Sequence, residues 1–175
     1  MTERNLKTEA LVIKTKSLVN KDLLIFLFSK EKGKIAVFGK GVKKITSKRL
    51  PLLQTANLIK VILTKKDNNY YLKDGKLLSG FVKIKENSKK IKFVYQIFFV
   101  LDRILPENQK EEDVYNLIKS FLIKLSKSES VDINFLFNQI LKKLGYLKEN
   151  LNKEQLNNFI FNLINEKIPS FLYND

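Results

Sequence analysis

Leu58-Ile59-Lys60-Val61-Ile62-Leu63-Thr64-Lys65, then Lys66-Asp67-Asn68-Asn69, then Tyr70-Tyr71-Leu72 reads as strand, turn and strand. Ile59, Val61 and Leu63 share one face of the first segment, and Lys60, Ile62 and Thr64 share the other, the period-2 signature of a half-buried strand. Asp67-Asn68-Asn69 supplies turn chemistry. Working towards the N-terminus, Gly33–Gly39 alternates in the same way, with Ile35 and Val37 on one side and Ala36 and Phe38 on the other. Leu23–Phe28 is a short apolar run suited to a buried strand, and Thr8–Lys16 sets Leu11 and Ile13 against Ala10, Val12 and Lys14. These short strands, packed into about 75 residues, predict a small closed or nearly closed five-stranded barrel.

Beyond residue 85 the period becomes helical. Lys90–Leu105 is apolar on nearly every side, as a helix buried by its neighbours should be, and Pro106 should stop it. Asn108 with Glu111 reads as a capping box ahead of a second helix carrying Val114, Ile118, Phe121, Leu122 and Leu125. A third is expected from about Val131 to Leu144 with Gly145 as its cap, and a fourth after Asn152, ended by Pro169. The expected class is α+β, a barrel domain over residues 1–82 and an all-α domain over 83–175.

Composition narrows the chemistry. The 175 residues include no Cys and no His, so thiolate zinc sites, disulfides and Ser-His or Cys-His catalysis are excluded. No GxxxxGK[ST] loop occurs, and Asp22, Asp67, Asp74, Glu111, Glu112 and Asp113 show no metal-ligand spacing. The expectation is a non-enzyme without cofactor. Phe93–Leu101, between Lys92 and Asp102, is far short of the roughly 20 apolar residues a spanning helix needs. With no signal-peptide block near the start, a soluble cytoplasmic protein is expected.

Charge points to a polyanion. Residues 1–80 carry 18 basic and 6 acidic side chains, net +12, whereas residues 81–175 carry 15 and 12, net +3. The excess is densest where Gly39-Lys40-Gly41-Val42-Lys43-Lys44-Ile45-Thr46-Ser47-Lys48-Arg49 leaves the third strand. Two glycines let the backbone turn sharply, Lys and Arg neutralise phosphates, and Thr46 and Ser47 offer hydroxyls. Lys32, Lys34, Lys40, Lys43, Lys44, Ser47, Lys48 and Arg49 are therefore the candidate nucleic-acid contacts. Phe38, Tyr70 and Tyr71 are candidate stacking platforms, of which Tyr70 joins the candidate set. Alternation puts Tyr70 and Tyr71 on opposite faces.

The ordered set Thr8-Glu9-Ala10-Leu11-Val12-Ile13-Lys14-Thr15, Asp22-Leu23-Leu24, Phe28-Ser29-Lys30-Glu31-Lys32-Gly33-Lys34, Lys40-Gly41-Val42-Lys43-Lys44, Ser47-Lys48-Arg49 and Leu53-Gln54 resembles the RecO family of bacterial recombination mediators. Leu141-Lys142-Lys143-Leu144-Gly145-Tyr146 and Ile168-Pro169-Ser170-Phe171-Leu172 extend the resemblance more thinly into the helical half. It implies an OB-fold barrel and a helical domain that bind single- and double-stranded DNA, anneal complementary strands and, with RecR, load RecA onto strands coated by single-strand-binding protein. It also implies that the helical domain holds that coating protein's acidic, Phe-ended tail, and that the protein works at the nucleoid. Three departures stand out. The four-cysteine zinc module common in the family is missing, Leu-Gln-Pro-Phe reads Leu53-Gln54-Thr55-Ala56, and Asn134 and Phe135 replace basic residues. Lys142 and Lys143 are then the candidate tail contacts. Two other readings fit the same residues: a protein-docking adaptor with incidental DNA contact, and an RNA-binding barrel.

Overall fold

The computed structural model describes residues 4–45, 47–127 and 131–169. Thr46 and Ser170-Phe171-Leu172 lie outside the described residues. The chain divides into two compact units: the residues up to 80 with 106–112, and 81–105 with those from 113 onward.

In the first unit β1 (Arg4–Ser17), β2 (Leu23–Ser29), β3 (Gly33–Gly39), β4 (Leu58–Lys66) and β5 (Asn69–Ser79) close into a barrel of order β1-β2-β3-β5-β4. All neighbours are antiparallel except β3 and β5, which run parallel with Val37 opposite Tyr70 and Phe38 opposite Tyr71. This is the five-stranded barrel the alternation predicts and the OB-fold the family resemblance implies. The alternation holds in β3 and β4, but in β1 a register shift between Val12 and Lys14 breaks it, so that Val12 stays in the core and Lys14 is exposed. Ile35, Val37, Ile59, Val61 and Leu63 point into the core beside Ala10, Val12, Ile25, Leu27 and Leu72. Burying each large aliphatic side chain contributes about 1.5–3 kcal/mol. Val42 is fully buried in the same cluster, so the loop after β3 folds back to plug one end.

Two strands outrun their sequence signals. β1 continues through Leu6 to pair with the whole of β4, and β5 continues through Asp74-Gly75 to Ser79. Asp-Gly reads as a turn, but here β4 supplies a partner on that side throughout. The ladder pairs Asp74 with Ile62 and Gly75 with Val61, and the residue before them, Lys73, is taken up in a register shift opposite Ile62/Leu63.

Residues 106–112 return to the barrel. The Asn108 N–H donates to Lys34 O at 2.8 Å, and Glu107 bridges to Lys34 as a short parallel strand. Lys110 Nζ lies 2.6 Å from Glu112, and its hydrogen bond holds that carboxyl below the usual carboxylate range. The capping box expected at Asn108 is not formed. Asn108 is left-handed (φ 58°), its N–H goes to β3, and the second long helix starts only at Glu112.

The second unit holds α1 (Val82–Lys85), α2 (Ser88–Ile104), α3 (Glu112–Lys127), α4 (Ile133–Lys143) and α5 (Lys153–Ile164), α3 starting in the first unit. Caps explain the ends. Asn87 accepts from Lys89 and Lys90 N–H, Asp132 accepts from Phe135 N–H, and Asn152 with Gln155 forms a capping box. α4 closes with Tyr146 N–H on Leu141 O and Gly145 N–H on Lys142 O, a Schellman motif. The core takes Ile97 and Leu101 from α2, Ile118 and Leu122 from α3, Ile140 and Leu141 from α4, and Leu156 and Ile160 from α5.

A buried Asn138 on α4 ties down the chain that leads into α5. Its Nδ2 donates to Asn134 O and Leu151 O at 3.0 Å, and its Oδ1 accepts from Leu151 N–H at 2.8 Å. Asn138→Leu keeps the volume but strands both Leu151 groups, so stability should fall by about 2 kcal/mol in denaturant titration. An unchanged midpoint would show that these bonds contribute nothing net.

Candidate nucleic-acid interface

The barrel's registers build a row of outward side chains. Lys16 on β1 is opposite Leu24 on β2, Leu24 opposite Phe38 on β3, Phe38 opposite Tyr71 on β5, and Tyr71 opposite Thr64 on β4. A second row places Lys14 opposite Phe26 and Phe26 opposite Ala36. Phe26, Phe38 and Tyr71 are half-buried and thus keep part of each ring on the surface, while Lys14 and Lys16 are exposed. Phe38 and Tyr71 stack with centroids 5.6 Å apart and planes 28° apart. Lys40 Nζ lies 5.2 Å from the Tyr71 centroid and Lys14 Nζ 4.6 Å from that of Phe26. A hollow of about 430 Å³ opens beside Tyr71, lined also by Lys40, Thr64, Lys66, Asp67 and Lys73.

The loop after β3 is held onto this face. Gly41, at φ +62°, donates its N–H to Asp22 Oδ1 at 2.6 Å, a conformation that side-chain-bearing residues rarely adopt. Lys43 N–H donates to Lys21 O, and Lys43 Nζ reaches Ser17 Oγ at 3.1 Å, beside the end of β1. Arg49 pins the far side. Its Nη1 donates to Leu72 O at 3.2 Å and its Nη2 to Lys40 O at 3.0 Å.

The expected contacts therefore sort by location. Lys40 and Lys43 join the aromatic face. Lys44 and Lys48 are exposed on the same loop, with the Lys44 stem lying over Gly41. Ser47 Oγ accepts the Arg49 N–H, and the Arg49 guanidinium is engaged by carbonyls, so both organise the loop. Lys32 is exposed in the β2–β3 turn, and Lys34 is 8% exposed at the start of β3. The returning 106–112 segment pairs with β3 at Lys34. That burial keeps Lys34 off the exposed aromatic face.

Tyr70 needs a correction. It is 8% exposed and belongs to the core, because its partner Val37 faces inward. The ring on the surface is Tyr71. Lys14, Lys16, Phe26, Lys66 and Lys73 were absent from the expected set. Lys14-Thr15-Lys16 carries a visible signal, a cation on every second residue of a strand end. Phe26 carries none, since Leu23–Phe28 has no alternation to assign it a side.

Stacked rings edged by lysines on the β2–β3 face of an OB barrel can hold a single strand, bases on the rings and phosphates on the ammonium groups. Residues 1–81 match the family described as Recombination protein O N terminal. Over these residues the chain is similar to the RecO family. It is 29% identical over 147 residues to the DNA repair protein RecO of Caldanaerobacter subterraneus subsp. tengcongensis, covering 82% of this chain and 58% of that protein. The RecO of Thermoanaerobacter sp. (strain X514) is 27% identical over 83% of this chain and 60% of its own length. That of Clostridium novyi (strain NT) is 26% identical over 80% and 56%. The chain thus spans well under two thirds of the length of these RecO relatives. The sequence contains no Cys or His, and among the described residues no group of three or more acidic side chains is placed to hold a metal ion. No helix among the described residues is long and apolar enough to cross a membrane.

In the helical unit, Lys142 is half-buried and Lys143 Nζ lies 3.6 Å from Asp113. A separate apolar hollow of about 460 Å³ between α3 and α4 is lined by Leu117, Phe121, Phe135 and Leu136 and edged by Lys124 and Lys127. Phe135, 57% exposed, contributes its ring there.

Proposed function

We propose that this chain is a RecO-type, non-catalytic DNA-binding protein of recombinational repair. It grips single strands on the Phe26–Phe38–Tyr71 face, with Lys14, Lys16, Lys40 and Lys43 on the phosphates and Lys44 and Lys48 extending the track. The carrying observation is the cross-strand row that sets Lys16 and Lys40 at the two sides of the Phe38–Tyr71 stack. Electrostatic grip without base-edge readout suits strand annealing, and on this reading the protein works in the cytoplasm at the nucleoid, with RecR, to load RecA. Double-stranded DNA would be held through its phosphates alone.

The test is fluorescence anisotropy of matched DNA and RNA oligonucleotides across salt, with the lysine reversals treated in the Discussion. Affinity should fall steeply with salt. A salt-independent affinity overturns the reading, and a strong preference for RNA replaces it with an RNA-binding barrel.

Docking is a second role that one observation favours. The α3–α4 hollow joins an apolar floor to two cations, which suits the acidic, Phe-ended tail of single-strand-binding protein. On this reading Phe135 and Lys124, not Lys142 and Lys143, make the main contacts.

A further inference from the structure

The barrel carries a second charged face. On β1, β4 and β5, Glu9 is opposite Lys60 and Lys60 is opposite Lys76, while in the next outward row Lys7 is opposite Ile62 and Ile62 opposite Asp74. Lys7, Lys60, Asp74 and Lys76 are exposed and Glu9 is half-buried. Lys60 and Lys76 are like charges directly across a strand pair, an arrangement that costs stability. Among the described residues none of Lys7, Lys60 and Lys76 makes an ion pair. Between them lies a depression of about 270 Å³, floored by Val61, Ile62 and Gly75. Gly75 is opposite the core residue Val61, and a Cβ there would stand 3.2 Å from Val61 Cγ1 and 3.3 Å from Lys60 O, so the glycine lets β5 lie close against β4. Asp74, on its rim, already accepts the Gly75 N–H at 2.8 Å. No aromatic ring lines this hollow.

Strand order sets the two faces apart. Because the barrel closes as β1-β2-β3-β5-β4, β4 lies across from the β2–β3 pair. We propose that the Lys7–Lys60–Lys76 face is a second polynucleotide track, which holds the sugar–phosphate backbone of another strand while the aromatic face holds the first. The absence of rings there leaves the bases of the second strand unstacked and free to pair, and an anion between Lys60 and Lys76 relieves their repulsion. This inference rests on the reading of the aromatic face as a single-strand site.

The test uses the full chain as wild type, Lys76→Glu and Lys60→Glu/Lys76→Glu. Single-strand binding is read by anisotropy, and co-binding of two oligo-dT strands by energy transfer between donor and acceptor labels. In both variants single-strand affinity should stay within about twofold, while co-binding weakens by about tenfold or more. Lys76→Glu should also raise the melting temperature, because it turns a like-charge pair into an opposite-charge pair, so its loss of co-binding is not unfolding. Unchanged co-binding overturns the inference. So does an equal loss in both assays, which would mean one continuous site. Failure of the wild type to bind any strand overturns the underlying reading instead.

Discussion

Lys14→Glu, Lys16→Glu and Lys40→Glu combined should weaken single-stranded DNA binding by about a hundredfold near 0.1 M salt. Each phosphate contact on a single strand contributes about 0.7 to the slope of log K against log salt, so three lost contacts lower that slope by about 2. Repulsion from the new carboxylates adds to the loss. Tyr71→Ala should act differently. It removes a stacking platform worth roughly 1–3 kcal/mol, lowering affinity with little change of salt slope. Lys32→Glu, in the β2–β3 turn, is the control. It changes net charge by the same amount per residue but lies at the far end of β3 from Lys40. Anisotropy titrations at several salt concentrations read all three. If Lys32→Glu cost as much as each reversal on the face, the binding would be diffuse attraction to a basic barrel, and the aromatic face would lose its role.

Gly33→Ala should be the most damaging single-atom addition in the first unit, by about 3 kcal/mol. Gly33 sits at φ +66°, where a Cβ is already strained, and that Cβ would fall 1.7 Å from Gln109 O. Backbone cannot yield there without moving the 106–112 segment and its Asn108–Lys34 hydrogen bond. Gly41→Ala is the matched comparison. It shares the positive φ, but its Cβ would meet only the Lys44 side chain, at 3.2 Å. Its cost should be about 1 kcal/mol, the backbone term alone. Thermal melts and amide exchange at Asn108 separate the two. Equal losses would mean that φ alone matters and that the returning segment gives way freely.

Much of the barrel was legible because half-buried strands advertise themselves by period. Ile35 and Val37, or Ile59, Val61 and Leu63, could face only one way once water was on the other side. The helix starts at Asn152 and Asp132 were legible or nearly so, because a cap is a local bond between a side chain and the next turn. Asn108-Gln109-Lys110-Glu111 misled for the opposite reason. Its polar groups match a cap locally, but β3 lies within reach and takes the Asn108 N–H first.

The interface divides in the same manner. Its charge was visible as a net +12 over residues 1–80, since charge adds along a chain regardless of fold. Which lysines act together was not visible. Lys16 and Tyr71 are 55 positions apart in sequence and become members of one row only through the β1-β2-β3-β5 registers. Tyr70 and Tyr71 were separated by alternation to opposite faces, yet only the parallel pairing of β3 with β5 says which face is the core. Local propensity and period, acting over a few residues, therefore determined the elements and the class, and composition determined the sign of the barrel's charge. Long-range strand pairing, which no local window contains, decided which rings and ammonium groups meet.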